Sequence, residues 1–173
     1  MEFIENGVKL RAFVESDYPK VALLCNNKNI SDNLRDLMPF PYTEKDAITF
    51  ISFCMDQNPQ VNFAIDYKGN LAGCIGLVLQ KDIYRLSAEL GYWIGEPYWG
   101  KGIATQAVKM ISLYAFGQLN LIRLYAGVFD LNKASQRVLE KTGFQLEGIL
   151  RKAVIKNNCI LDEYRYALLN VTA

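Results

Sequence analysis

The segment Tyr98-Trp99-Gly100-Lys101-Gly102-Ile103-Ala104-Thr105 links a strand-like run to a helix-like one. Two glycines there permit a tight turn in which successive N–H groups converge at the positive end of the helix, and such a nest binds phosphate. The Walker spacing G-x-x-x-x-G-K-[ST] is absent and the dinucleotide pattern G-x-G-x-x-G is incomplete. A strand–helix loop whose small residues serve only packing accounts for the same letters. Thirty residues on, Asn132 to Phe144 reads as a short helix with Asn132 at its N-cap, Gly143 just past its end and Phe144 entering the core. Histidine is absent, which excludes Ser–His and Cys–His nucleophile pairs and any histidine metal site. Chemistry must then rest on carboxylates, hydroxyls, backbone amides or a borrowed cofactor. Glu89 is the only carboxylate of the run Leu86 to Ile94; a solvated or ion-paired strand residue is its bland reading.

The elements that would position these groups follow from periodicity. Val8 to Phe13 alternates as a strand, and Ser16 or Asp17 caps a helix carrying Tyr18, Val21, Ala22, Leu24 and Cys25. The polar stretch Asn26 to Asp36 and Met38-Pro39-Phe40-Pro41-Tyr42 form an irregular connection. Thr43, with Asp46 three residues on, starts a helix with apolar positions Ala47, Ile48, Ile51 and Met55. Val61 to Tyr67 and Leu71 to Gln80 make a hairpin about Lys68-Gly69-Asn70. Leu86 to Ile94 is a strand with Leu86, Ala88, Leu90, Tyr92 and Ile94 on one face, and its Gly91 marks a bulge or a close backbone approach. Gly102 to Phe116 is a helix with the stripe Ile103, Ala107, Ile111, Ala115. Ile122 to Val128 is a strand, Ala134, Val138 and Leu139 are the apolar positions of the Asn132 helix, and Phe144 to Ile155 and Leu161 to Leu169 close the chain as strands. Interspersed hairpins and helices predict one α+β domain over residues 1–173, a mixed splayed sheet of about seven strands flanked by about four helices.

Composition narrows the classes. With 173 residues, 51% of them hydrophobic, the chain can build one core and is no disordered linker. A net charge of +1 gives no sign of nucleic-acid binding or of a polybasic membrane surface. The longest charge-free run, Met110 to Ile122, is too short to span a bilayer, and the first five residues lack the order of a signal peptide. A soluble, cytoplasmic protein is expected. Cys25, Cys54, Cys74 and Cys159 show no C-x-x-C and read as buried, reduced packing residues, and the acidic residues other than Glu89 read as solvated.

Together the two motifs are more specific than either alone. The chain resembles the GNAT N-acetyltransferase superfamily, whose acetyl-CoA motif [QR]-x-x-G-x-[GA] is matched by Trp99-Gly100-Lys101-Gly102-Ile103-Ala104, with Trp99 in the Arg or Gln position. Asn132, Ser135, Gly143 and Phe144 match its second helix. Ala88-Glu89-Leu90-Gly91-Tyr92-Trp93-Ile94, Gly102 to Ala107 and Gly143 to Gly148 resemble the Rim subgroup, which acetylates ribosomal-protein N-termini.

The resemblance implies that amides of Gly100, Lys101, Gly102, Ile103, Ala104 and Thr105 hold the CoA diphosphate. The strand at Tyr92, Trp93 and Ile94 would run beside the pantetheine, one of its amides polarising the thioester carbonyl. Asn132 would reach the pantetheine or phosphate end; Lys101, Lys133 and Arg137 would meet phosphates or simply face solvent. Many relatives carry Tyr seven residues after that Asn as general acid, where this chain has Leu139; Ser135 is the subgroup's alternative acid, with cofactor binding or capping as its other reading. Glu89 matches the subgroup's base. No metal is implied. Phe40 and Tyr42 would wall the acceptor pocket, or pack the connection. The expected reaction is acetyl transfer from acetyl-CoA to a primary amine, a protein N-terminal α-amine foremost. A polyamine, amino sugar or antibiotic acceptor is the alternative, as is an acyl-CoA-binding module without catalysis. Monomer and homodimer both remain open.

Overall fold

The computed structural model describes residues 3–170. Its elements are β1 (Phe3–Glu5), β2 (Val8–Arg11), α1 (Tyr18–Cys25), α2 (Lys28–Ser31), α3 (Glu44–Met55), β3 (Asn62–Tyr67), β4 (Asn70–Leu79), β5 (Ser87–Ile94), α4 (Ile103–Gly117), β6 (Arg123–Phe129), α5 (Lys133–Lys141), β7 (Gln145–Lys156) and β8 (Cys159–Leu169). The strand order is β1-β2-β3-β4-β5-β6-β8-β7, and the parallel pair β5–β6 among antiparallel ones makes the sheet mixed. The α+β class holds, with one strand and one helix beyond expectation. The added strand, β1, turns back through Asn6-Gly7, both left-handed at φ 51° and 77°, the backbone that a two-residue hairpin needs. The added helix is the single turn α2 inside the polar stretch, where Asn27 Oδ1 accepts the Asn29 N–H.

The chain gathers into two units: residues up to Gly76 with Tyr92–Ala107, and Leu77–Gly91 with the residues from Val108 on. In the first, α1 and α3 contribute to a core of Phe13, Val21, Leu24, Tyr42, Ala47, Ile51, Cys54, Cys74 and Trp93. Helix α3 starts at the expected capping box, Thr43 N–H donating to Asp46 Oδ2 at 2.8 Å and Asp46 N–H to Thr43 Oγ1 at 3.3 Å. It buries Ala47, Ile51 and Cys54, while Ile48 and Met55 of the expected stripe are exposed. Asp17 caps no helix by its side chain. Its carboxylate accepts the Val14 N–H and holds Arg11, which also binds Asp66, so this buried acid is a paired one and not solvated.

Cys25, Cys54 and Cys74 are buried, and burial raises all three thiols, that of Cys54 to about 12. Such thiols stay protonated and inert at neutral pH. Cys159 departs from the expectation: it is exposed at the start of β8, beyond the left-handed pair Asn157-Asn158.

The second unit is built on alternation. Leu124, Ala126 and Val128 of β6 are buried, as are Val108, Ile111 and Ala115 of α4. Tyr166 of β8 donates its hydroxyl to Glu140 Oε1 of α5 at 3.1 Å, and α5 ends before Gly143 at φ +90°. Leu86, assigned to the apolar face of β5, is exposed and precedes the strand. Among the described residues no helix is long and apolar enough to cross a membrane, and no group of three or more acidic or cysteine side chains could hold a metal ion.

The close backbone approach expected at Gly91 occurs instead at Gly73. A Cβ at Gly73 would stand 2.3 Å from the Trp93 carbonyl oxygen, whereas one at Gly91 would meet nothing. Gly73→Ala should therefore cost about 3 kcal/mol, the upper end for overpacking, because a strand backbone must move. Gly91→Ala should leave stability within about 0.5 kcal/mol. Denaturant midpoints of the two variants check this; a Gly73→Ala midpoint equal to wild type would remove the constraint.

Candidate functional site

The phosphate-binding candidate belongs to the first unit, where β5 passes into α4. Gly95 donates its N–H to Ala72 O at 2.8 Å and packs on Leu24, whose Cδ2 would be 2.8 Å from any Cβ there. Glu96–Tyr98 then form one 3₁₀ turn. The Trp99 indole Nε1–H donates to Ile94 O at 2.7 Å, bridging the base of the loop. Asn27 and Asn29 donate side-chain amides to Glu96, and these bonds hold its carboxyl below the usual range.

Gly100 and Gly102 take left-handed φ of +74° and +73°, and a Cβ on either would meet open space. Bulk does not require glycine at these two positions; conformation does. Gln106 N–H to Gly102 O is the first bond of the α4 ladder. The amides of Ile103, Ala104 and Thr105 therefore lie ahead of it, at the positive end of a 15-residue helix. Lys101 turns its ammonium back to Pro97 O at 2.9 Å and lies 5.3 Å from the Tyr98 ring centroid and 6.0 Å from that of Tyr67. Trp93 and Ile94 are buried and Tyr92 is half-buried. Of the expected acceptor-wall residues, Phe40 is exposed. Tyr42 is buried in the core, where desolvation raises its hydroxyl pKa and its N–H donates to Asn26 Oδ1.

The proton-handling candidates belong to the second unit. Ser87, Ala88 and Glu89 pair in parallel with Arg123, Leu124 and Tyr125. Ala88 and Leu90 are buried and Glu89 between them is half-buried, on the opposite face. Asn132 caps α5 as expected, its Oδ1 accepting the Ser135 N–H at 3.1 Å, so Asn132 and Ser135 are brought together. Capping uses the oxygen of Asn132 and leaves the amide nitrogen to donate. Leu139, seven residues after Asn132, is wholly buried and joins the core, whereas Ala134 is exposed. Lys133 lies 5.1 Å from the Tyr164 ring centroid and 3.4 Å from Gln136 Oε1.

Three residues that sequence reasoning passed over share the face of Glu89: Tyr125, Glu163 and Arg165. The signal available was the alternation in Asp162 to Ala167, but a strand of charged and aromatic residues names no partner by itself. Asp130, just past β6, keeps its buried Oδ1 without a hydrogen-bond partner.

Comparison with known proteins identifies the family. Residues 8–145 match the acetyltransferase (GNAT) domain model. The putative ribosomal N-acetyltransferase YdaF of Bacillus subtilis is 38% identical over 103 residues, 60% of this chain and 56% of the relative. Spermidine N(1)-acetyltransferase of Escherichia coli is 31% identical over 167 residues, 94% of this chain and 84% of the relative. Several Bacillus relatives are matched over only about half of their own length. Among solved structures, the Microcin C7 self-immunity acetyltransferase MccE, in complex with acetyl-CoA and AMP, superposes with a TM-score of 0.82 at 26% identity, covering 96% of this chain and 94% of that one. With a left-handed double-glycine loop opening a long helix, and a family match over most of its residues, the chain belongs to the GNAT acetyltransferase family.

Proposed function

We propose that the protein is an N-acetyltransferase, one domain over residues 1–173 and cytoplasmic, that moves the acetyl group of acetyl-CoA to the α-amine of a protein or peptide N-terminus. The observation that carries the first half is the loop Gly100–Thr105. Its two left-handed glycines and the amides ahead of the α4 ladder suit a diphosphate. In the reaction the neutral amine nitrogen attacks the thioester carbonyl carbon, the C–S bond breaks, and CoA leaves as thiolate. Glu89 takes the proton that the amine loses, directly or through water, and Ser135 protonates the thiolate. A strand amide at Tyr92 or Trp93 meets the developing oxyanion. Asn132 Nδ2 donates to the cofactor while its oxygen caps α5. Phe40 is the exposed member of the acceptor wall.

A polyamine acceptor is the second reading, favoured by the near full-length alignment with the spermidine enzyme. Acetylation of an amine panel containing N-terminal peptides, spermidine and amino sugars, followed by mass detection, separates the two; thiol release with no panel member would leave a binding module.

Replacing Gly102 by Val forces a β-branched residue to φ +73°, so acetyl-CoA affinity should fall at least about tenfold, from about 1–3 kcal/mol of backbone strain and a displaced nest. Calorimetry on protein shown to be folded by circular dichroism checks it, and unchanged affinity rejects the loop. For Ser135→Ala, kcat should fall more than acetyl-CoA affinity does; a loss of affinity alone makes Ser135 a binding residue.

Glu89→Gln discriminates between acceptors. A lysine-like amine of pKa about 10.4 is only about 0.04% neutral at pH 7, adding about 4.6 kcal/mol to the barrier, whereas an α-amine of pKa about 7.7–8.0 is about 10–17% neutral. The variant should lose rate strongly with a polyamine and modestly with a peptide, and both losses should shrink as pH rises towards the acceptor's pKa. pH–rate profiles that superpose on wild type with both acceptors from about pH 6 to 9 would show that Glu89 is not the base.

A further inference from the structure

In the second unit the register of β5, β6 and β8 sets Glu89, Tyr125, Gly127, Arg165 and Glu163 on one face. Glu89 pairs with Tyr125, Gly127 with Arg165, and Phe129 with Glu163, while the alternate residues Ala88, Leu124, Ala126 and Val128 are buried behind them. The Arg165 guanidinium stands 5.1 Å from the Tyr125 ring centroid. Its Nε, at 3.0 Å, and its Nη2 both donate to Glu163 Oε1. The Glu163 carboxylate lies over Gly127, where a Cβ would come within 2.7–2.8 Å of its atoms, so the missing side chain is the seat of the carboxylate. The two side chains are 32% and 13% exposed, reachable from solvent yet largely desolvated.

Both bonds from Arg165 fall on one oxygen, which leaves Oε2 of Glu163 to accept. The pair has no net charge, so a second ammonium gains little from it. The N–H of a neutral amide matches the remaining carboxylate oxygen, in a bond whose acceptor is charged. Gly127 is one strand across and two residues along from the register of Glu89, about 8 Å at ordinary strand spacing and rise. Two residues of extended peptide span about 7 Å.

We infer that the Glu163–Arg165 pair, seated over Gly127, clamps the acceptor: it holds the amide joining the second and third residues of a peptide whose α-amine is at Glu89. This rests on the reading of the acceptor as a peptide α-amine and of Glu89 as its base. It assigns peptide-backbone specificity to residues outside the acetyl-transfer machinery.

The experiment compares a tripeptide acceptor with the matched depsipeptide in which an ester oxygen replaces that N–H. Wild type should show a KM for the ester about 10–100-fold higher at similar kcat, the worth of a hydrogen bond to a charged group. Glu163→Ala should raise the tripeptide KM to the ester's level and abolish the difference between the two acceptors. Gly127→Ala should do the same with Glu163 still present, since the carboxylate loses its seat. A wild type that acetylates both equally, or an ester penalty that survives in both variants, overturns the clamp and leaves the peptide reading standing. A wild type that acetylates spermidine and neither peptide overturns both. The wild-type comparison needs no variant to fold.

Discussion

The passage from β5 into α4 depends on a single backbone constraint. The strand must approach β4 closely enough for Gly95 N–H to reach Ala72 O, and only a residue without a side chain at position 73 permits it. With the strand end pinned there, the indole bond from Trp99 to Ile94 O fixes the base of the loop, and the glycines can hold left-handed backbone without the turn collapsing. Amides that are to bind an anion must stay ahead of the helical ladder, unpaired by the fold and yet held in place. Placing the rigidity in the neighbours of the loop satisfies both demands. In this chain the bridge is made by the N–H of a neutral ring.

The second unit divides labour between the faces of its strands. One face of β6 is aliphatic and buried; the other carries Arg123, Tyr125, Gly127 and Phe129 beside Glu89, Glu163 and Arg165. Charges on that face are paired, Arg123 with Glu147 and Arg165 with Glu163, so it is polar without a strong field. The more exposed of the two, Arg123 with Glu147, adds little stability. The interest of both pairs lies in the geometry they impose on whatever approaches.

Local chemistry was legible in the sequence and tertiary choice was not. The Thr43–Asp46 box, the Asn132 cap, Gly143 and the Lys68-Gly69 turn could be read directly, because each depends on residues within three or four positions. The stripe Ile103, Ala107, Ile111, Ala115 followed from period alone. β1 was missed although Asn6-Gly7 is a strong hairpin signal, because a three-residue strand offers too little alternation to register. Asp17 and Glu163 were read as solvated because their partners, Arg11 with Asp66 and Arg165 over Gly127, are fixed only by strand register. Gly91 and Gly73 look alike in sequence, each a glycine inside a strand between larger residues, and only the neighbouring strand decides which one must lack a side chain. The roles of the site residues came from family resemblance; geometry adds where each sits and what already engages it.

The indole of Trp99 has a consequence of another kind. The chain holds two tryptophans, Trp93 buried in β5 and Trp99 half exposed at the base of the loop, and none elsewhere. The tryptophan fluorescence of the protein therefore originates in one stretch of seven residues, with one emitter shielded and one open to solvent. An anion settling on the loop perturbs the open emitter against an internal reference, so the molecule carries its own optical gauge of cofactor occupancy without a label.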